Sequence, residues 1–125
     1  MTVVLDAGAL VAVDRRDRGI LTTLRLLERD GVPVRTSAGA LAQVWRGGPR
    51  QANLARVVRG LDVAALDENE STRVGELLAA ARTEDVVDAH IALLVETGGT
   101  VLTSDGSDIA LLLGARKVQA TVVRV

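Results

Sequence analysis

The sequence predicts an α/β domain built on a mainly parallel sheet. Short β-branched apolar runs alternate with segments whose apolar residues recur at helical spacing, and turn signals separate the two kinds. The first and fourth apolar runs both end in an aspartate, in Val3-Val4-Leu5-Asp6 and Val101-Leu102-Thr103-Ser104-Asp105. At 125 residues, 48% hydrophobic and 25% charged, the chain suffices for one domain, residues 1–125, with a sizeable core, and disorder is excluded as its global state.

Thr2–Leu5 reads as the first strand, stopped at Asp6-Ala7-Gly8, after which Ala9, Leu10 and Val13 take up helical spacing. Ile20, Leu21, Leu24, Leu26 and Leu27 continue that spacing to the stop signal Asp30-Gly31, and Val32–Thr36 is short and β-like. Ser37 can cap a helix carrying Leu41, Val44 and Trp45 up to Gly47-Gly48-Pro49, and Leu54, Val57 and Val58 mark another ending at Gly60. Leu61–Leu66 is the third strand. Asp67 precedes a helical run through Val74, Leu77, Leu78 and Ala81, and Thr83 is expected to start the next helix, with Val87, Ile91, Leu94 and Val95. Thr100–Thr103 is the fourth strand, Ser104–Asp108 a turn opening the helix Ile109–Leu113, and Thr121–Val125 the last strand. No repeat or linker interrupts this alternation, which implies right-handed crossovers.

Composition excludes several chemistries. With no cysteine there is no disulfide framework, cysteine zinc site or thiol nucleophile, and a single histidine, His90, rules out paired-histidine mechanisms. Any metal must therefore use oxygen ligands. Apolar runs such as Ile91–Val95 are far below the roughly 20 residues of a membrane span, and no secretory signal is evident, so a cytoplasmic protein away from membranes is expected. Fifteen Lys+Arg against 16 Asp+Glu give a net charge of −1, so the chain as a whole does not advertise nucleic-acid binding.

In open parallel sheets ligands bind beyond the carboxyl ends of the strands, where strand order reverses. Asp6 and Asp105 stand at such ends, although each is equally suited to a turn or a helix cap. Asp88 is harder to dismiss, because it sits inside the helical run Val86-Val87-Asp88-Ala89-His90-Ile91-Ala92 among apolar neighbours. Glu84, Asp85 and Ala92 lie near it at helical spacing, two acids and a small residue that leave room for an ion. Converging carboxylates raise one another's pKa unless a cation sits between them, and Mg²⁺ or Mn²⁺, with waters that can attack a phosphodiester, fits an all-oxygen set.

Leu5-Asp6-Ala7-Gly8-Ala9-Leu10, Val86-Val87-Asp88-Ala89-His90-Ile91-Ala92 and Leu102-Thr103-Ser104-Asp105-Gly106-Ser107-Asp108 resemble the three signature segments of PIN domains, in order and across nearly the whole chain. The resemblance implies an α/β/α sandwich with a central mainly parallel five-stranded sheet of order 3-2-1-4-5, and a Mg²⁺- or Mn²⁺-dependent ribonuclease. Asp6, Asp88 and Asp105 would be its catalytic, metal-ligating aspartates, with Asp108 an additional ligand. Asp85 is expected in the first helical turn, and the Thr103 and Ser104 hydroxyls are auxiliary candidates. Many small stand-alone members resemble VapC-type toxins, so an antitoxin partner and a homodimer are implied. Two positions depart from the pattern. Gln43 stands where PIN nucleases commonly carry glutamate, and one charge at ~4 Å is worth roughly 4 kcal/mol at an effective dielectric of about 20. Gly8 stands where many members have Ser or Asn.

Between Gly31 and Leu61 there is no acidic residue, yet Arg35, Arg46, Arg50, Arg56 and Arg59 occur there. Arg46 and Arg50 flank Gly47-Gly48-Pro49 just after the Gln43 helix and could hold RNA phosphates. They could equally be solvated helix surface, the reading given to Arg15, Arg16 and Arg18. Trp45, the only aromatic residue, reads as a core or interface anchor, and His90 as a packing or surface residue pointing away from Asp88. A haloacid-dehalogenase arrangement fails at Gly8, where a second aspartate belongs, and a receiver domain fails because Asp62 falls early in its strand. The standing alternative is a weakened or inactive PIN-like module that binds RNA or a protein partner.

Overall fold

A computed structural model describes all 125 residues. Five strands, β1 (Val3–Leu5), β2 (Val34–Ser37), β3 (Asp62–Ala64), β4 (Thr100–Thr103) and β5 (Thr121–Arg124), form one parallel sheet in the order β3-β2-β1-β4-β5. Seven helices connect them: α1 (Ala7–Asp14), α2 (Arg18–Arg29), α3 (Ala38–Val44), α4 (Ala52–Val58), α5 (Glu68–Ala81), α6 (Val86–Leu94) and α7 (Gly106–Arg116). The parallel α/β architecture is the one periodicity predicts, and the strand order is the one the resemblance implies. None of these helices is long and apolar enough to cross a membrane.

The central strand explains why the sheet is parallel. Val3, Val4 and Leu5 are all buried, without alternation, because helices cover both faces. Helix α1 packs against α2, α3 and α4, while α5, α6 and α7 pack on one another and α6 covers β1 and β2. Leu10, Leu54, Ile91, Ile109 and Leu112 fill the spaces between layers. Register is set by Leu5 facing Thr36 on one side and Leu102 on the other, which brings the carboxyl ends of β1, β2 and β4 level.

Six helices begin with a side-chain cap: Asp6 for α1, Asp17 for α2, Ser37 for α3, Asp67 for α5, Asp85 for α6 and Asp105 for α7. Each satisfies an amide that the first helical turn would leave unpaired. Three of these caps stand at or within two residues of a strand's last residue, so the first turns of α1, α3 and α7 all open at the carboxyl edge of the sheet. The first turn of α6 arrives there too, since a Cβ on Gly39 of α3 would lie 3.1 Å from a methyl of Val87.

Several expectations need correction. The third strand is Asp62–Ala64, shorter than Leu61–Leu66, because as an edge strand it pairs only with β2 over three positions. The helix after Thr83 starts at Val86: Arg82 adopts a left-handed conformation that terminates α5, and Thr83-Glu84 span the gap. Glu84 therefore lies outside the helix, and Asp85 is its cap rather than a residue of its first turn. Helix α7 begins at Gly106, three residues before Ile109. Trp45 is 41% exposed and is no part of the core.

His90 is fully buried, not a surface residue. Its Nδ1 lies 2.6 Å from the Ser37 hydroxyl, while Nε2 has no hydrogen-bond partner and faces the Glu70 carboxylate at 3.7 Å. Burial lowers its pKa, with Glu70 opposing, so His90 is held neutral. The folded state then binds this proton less readily than the unfolded chain, and stability is lost as pH falls below the ordinary 6.5. His90→Asn, which can keep the Ser37 bond, is expected to flatten that acid-side loss in urea unfolding, whereas His90→Ala is expected to cost about 2–4 kcal/mol at neutral pH by leaving a cavity.

Candidate metal centre

The switch point of the sheet falls between β2-β1 and β4-β5, and Asp6 and Asp105 follow the two strands that meet there. Asp6 is 5% exposed. Its Oδ1 accepts the Ala9 amide at 2.8 Å, its Oδ2 accepts the Thr103 hydroxyl, and its own amide donates to the Leu102 carbonyl at 3.1 Å. Burial raises the Asp6 pKa, opposed by the Thr103 hydroxyl and the amides of Ala9, Ser104 and Gly8. The buried Thr103 hydroxyl also accepts the Asp105 amide at 3.0 Å, so it bridges the ends of β1 and β4.

Asp105 is exposed, and its Oδ1 accepts both the amide (3.2 Å) and the hydroxyl (2.8 Å) of Ser107. Those bonds hold its carboxyl below the usual range. Asp85 Oδ1 accepts the Asp88 amide at 2.9 Å. The Asp88 carboxylate, in the first turn of α6, is half-buried and accepts no hydrogen bond from the protein. Burial pushes its pKa up to about 6, and the negative charges of Asp85, Asp6, Asp108 and Asp105 push it the same way. Four acids from α1, α6 and α7 thus act on Asp88 at one edge of the sheet.

Convergence is incomplete. No three Asp, Glu or His side chains stand close enough together to share one ion, since Asp6 and Asp105 turn carboxylate oxygens toward the amides they cap. The donor chemistry nevertheless suits a hard divalent cation, because every candidate atom is a carboxylate or hydroxyl oxygen. Asp108 stands exposed in the first turn of α7. Gln43 is exposed near the end of α3 and makes no hydrogen bond to any of these acids.

The arginine segment is partly committed. Arg35 pairs with Asp62 at 2.7 Å across β2 and β3. Arg46 donates one guanidinium nitrogen to the carbonyls of Ala42 (3.2 Å) and Trp45 (2.7 Å), closing the end of α3, and Arg50 stands free in the short 3-10 turn Pro49–Gln51. Both are exposed, and Arg46 follows the carboxyl end of α3, about one α3 length, or roughly 10 Å, from the helix end that meets α6. Gln51, which sequence reasoning missed, ties this loop: its Oε1 accepts the Arg46 (2.6 Å) and Gly47 (2.9 Å) amides and its Nε2 donates to the Val44 carbonyl at 2.9 Å. A polar residue between Arg50 and Ala52 carries no local sign of burial. A groove of about 440 Å³ lined by Leu21, Leu24, Val32, Val57 and Leu61 lies at the opposite, amino edge of the sheet and is separate from the acids.

No protein-family profile and no curated protein matches this chain. Among solved structures, it superposes on a chain of the crystal structure of VapBC2 from Rickettsia felis bound to a DNA fragment from their promoter. The TM-score is 0.68 at 14% identity, covering 100% of this chain and 99% of that one. The chain has the PIN fold. Within the PIN fold, the aspartates expected from sequence fall at the carboxyl ends of β1 and β4 and in the first turn of α6.

Proposed function

We propose that this chain is a Mg²⁺- or Mn²⁺-dependent endoribonuclease, the toxin of a VapBC-type toxin–antitoxin pair acting in the cytoplasm. The placement of Asp6 and Asp105 after the two strands that meet at the switch point, with Asp88 in the first turn of α6 at the same edge, carries this reading. The similarity to a chain of the VapBC2 assembly supports it and supports a partner antitoxin; the homodimer is proposed on the resemblance of the three segments alone.

Asp6, Asp88 and Asp105 would hold the cation, with Asp108 as a further ligand. The cation would polarise the phosphodiester and lower the pKa of the attacking water. Asp6 is pre-positioned by the Ala9 amide and the Thr103 hydroxyl, so its charge is fixed before substrate arrives. Neither Asp88 oxygen is held by a protein hydrogen bond, so one could ligate the cation while the other orients the attacking water. Arg46 and Arg50 would hold neighbouring phosphates of the RNA strand, at a distance where they do not neutralise the acids. Asp85 acts through Asp88, whose amide it accepts.

Gln43 favours a second reading, a PIN-fold module that binds RNA or a partner with little cleavage, because it leaves the ligand set one charge short. Gln43→Glu is expected to tighten Mn²⁺ binding by about tenfold or more in calorimetry if α3 faces the ion, and unchanged affinity would remove Gln43 from the site. The deciding experiment is cleavage of single-stranded and structured RNAs with Mg²⁺, Mn²⁺ or EDTA. Metal-dependent cuts support the ribonuclease. RNA binding without cuts at any metal concentration supports the module.

A further inference from the structure

Five hydroxyl side chains stand at the carboxyl edge of the sheet, and four are engaged within the protein. Thr36 donates to the Leu5 carbonyl at 2.8 Å, Ser37 bonds His90, Thr103 donates to Asp6, and Ser107 donates to Asp105. Ser104, between Thr103 and Asp105, is exposed and has no partner in the protein. Its placement is nevertheless specific. A Cβ built on Gly8 would stand 1.8 Å from Ser104 Oγ and 2.4 Å from Ser104 Cβ, so the Ser104 side chain occupies the space that any residue at position 8 other than glycine would need. Backbone conformation does not demand glycine there, since Gly8 lies in the first turn of α1 and is not among the glycines with positive φ. A helical glycine is less stable than alanine by about 0.5–1 kcal/mol. The contact with Ser104 accounts for it.

We infer that Ser104 is a substrate-contacting hydroxyl, donating to a non-bridging oxygen of the RNA phosphate at the acid cluster, and that Gly8 is the gap that keeps it there. The inference rests on the ribonuclease reading. Ser104 packs against Gly8, two residues past Asp6, and immediately precedes Asp105, so its hydroxyl stands between the ends of β1 and β4. Both oxygens of Asp6 have donors, from Ala9 and Thr103, so it does not require the Ser104 proton. Among so many acids, a neutral donor is the group that can face an anionic phosphate oxygen without repelling it or cancelling a ligand charge.

The test uses the full chain with a single-stranded RNA that it cuts. Ser104→Ala is expected to lower kcat/KM roughly ten- to hundredfold, the weight of one hydrogen bond to a charged group, with Tm and Mn²⁺ affinity unchanged. Gly8→Ala is expected to lower both Tm and cleavage by displacing Ser104. In the background Ser104→Gly, where the gap is empty, Gly8→Ser is expected to cleave faster than Gly8→Ala, because the two differ by one oxygen. Cleavage by Ser104→Ala at the wild-type rate overturns this inference and leaves the ribonuclease standing, as does a Gly8→Ala protein as stable and active as wild type. A wild-type chain that binds but does not cut RNA moves the test to affinity, where equal binding by Ser104→Ala overturns the inference. A wild type that neither cuts nor binds RNA overturns both.

Discussion

Asp6→Asn is expected to abolish metal-dependent cleavage while leaving the fold intact. Asparagine is as good a helix cap as aspartate, and its carbonyl oxygen can still accept the Ala9 amide, so α1 keeps its first turn. The charge, however, disappears. At about 4 Å and an effective dielectric of about 20 it is worth roughly 4 kcal/mol toward a cation, which corresponds to about a thousandfold in rate or affinity. Asp6 is buried and its ionised form is penalised by desolvation, so the variant is expected to match or exceed the wild type in urea midpoint. Cleavage rates with Mn²⁺ and urea titrations on the same preparations measure both effects. A variant that still cuts RNA at wild-type rate would remove Asp6 from the centre, and one that unfolds would show that the Thr103 contact needs a carboxylate.

Asp88→Asn is expected to stabilise the protein at neutral pH and to destroy its response to divalent cations. The folded-state pKa of Asp88, about 6, lies above its ordinary 3.8, so the folded chain binds this proton more tightly than the unfolded chain. Stability contributed by that proton is complete below pH 3.8 and is lost as pH rises through about 6. The shift corresponds to a ceiling of about 3 kcal/mol, and water reaching the half-buried carboxylate brings the expected gain in Asp88→Asn down to about 1–2 kcal/mol at pH 7. The gain should vanish near pH 4. His90 works in the opposite sense over an overlapping range, so the comparison is made between wild type and variant at each pH rather than on one curve. A bound cation removes the repulsion, so Mn²⁺ is expected to raise the wild-type Tm at pH 7, less so at pH 5, and not in Asp88→Asn, with EDTA reversing the rise. A wild-type Tm indifferent to Mn²⁺ at pH 7 would count against the metal centre.

Element type and order were legible because they are written in local signals. The unbroken apolar run Val3–Leu5 marks a strand buried on both faces, and the 3.6-residue period through Val74, Leu77 and Leu78 marks a helix. Element ends were less legible where a neighbour sets them. Arg82 closes α5 in a left-handed conformation normally taken by glycine, and nothing in its identity announces that. Similarly, β3 is short because β2 offers it three partners, not because Leu61 and Leu66 are poor strand residues.

The candidate site shows the same division. Three aspartates in three separated segments, with no cysteine and one histidine, already narrow the chemistry to oxygen ligands and a hard cation, since residue type alone sets donor softness. Their mutual field, the Thr103 bridge from Asp6 to the Asp105 amide, the burial of His90 against Ser37, the Gln51 knot and the seat of Ser104 over Gly8 came from folding. Each joins residues that sequence order separates or that local propensity leaves indifferent. Periodicity and capping act over one or two turns and can be read along the chain. Desolvation, charge repulsion and steric exclusion depend on which surfaces the sheet brings together, and they exist only once strands β1 and β4 lie side by side.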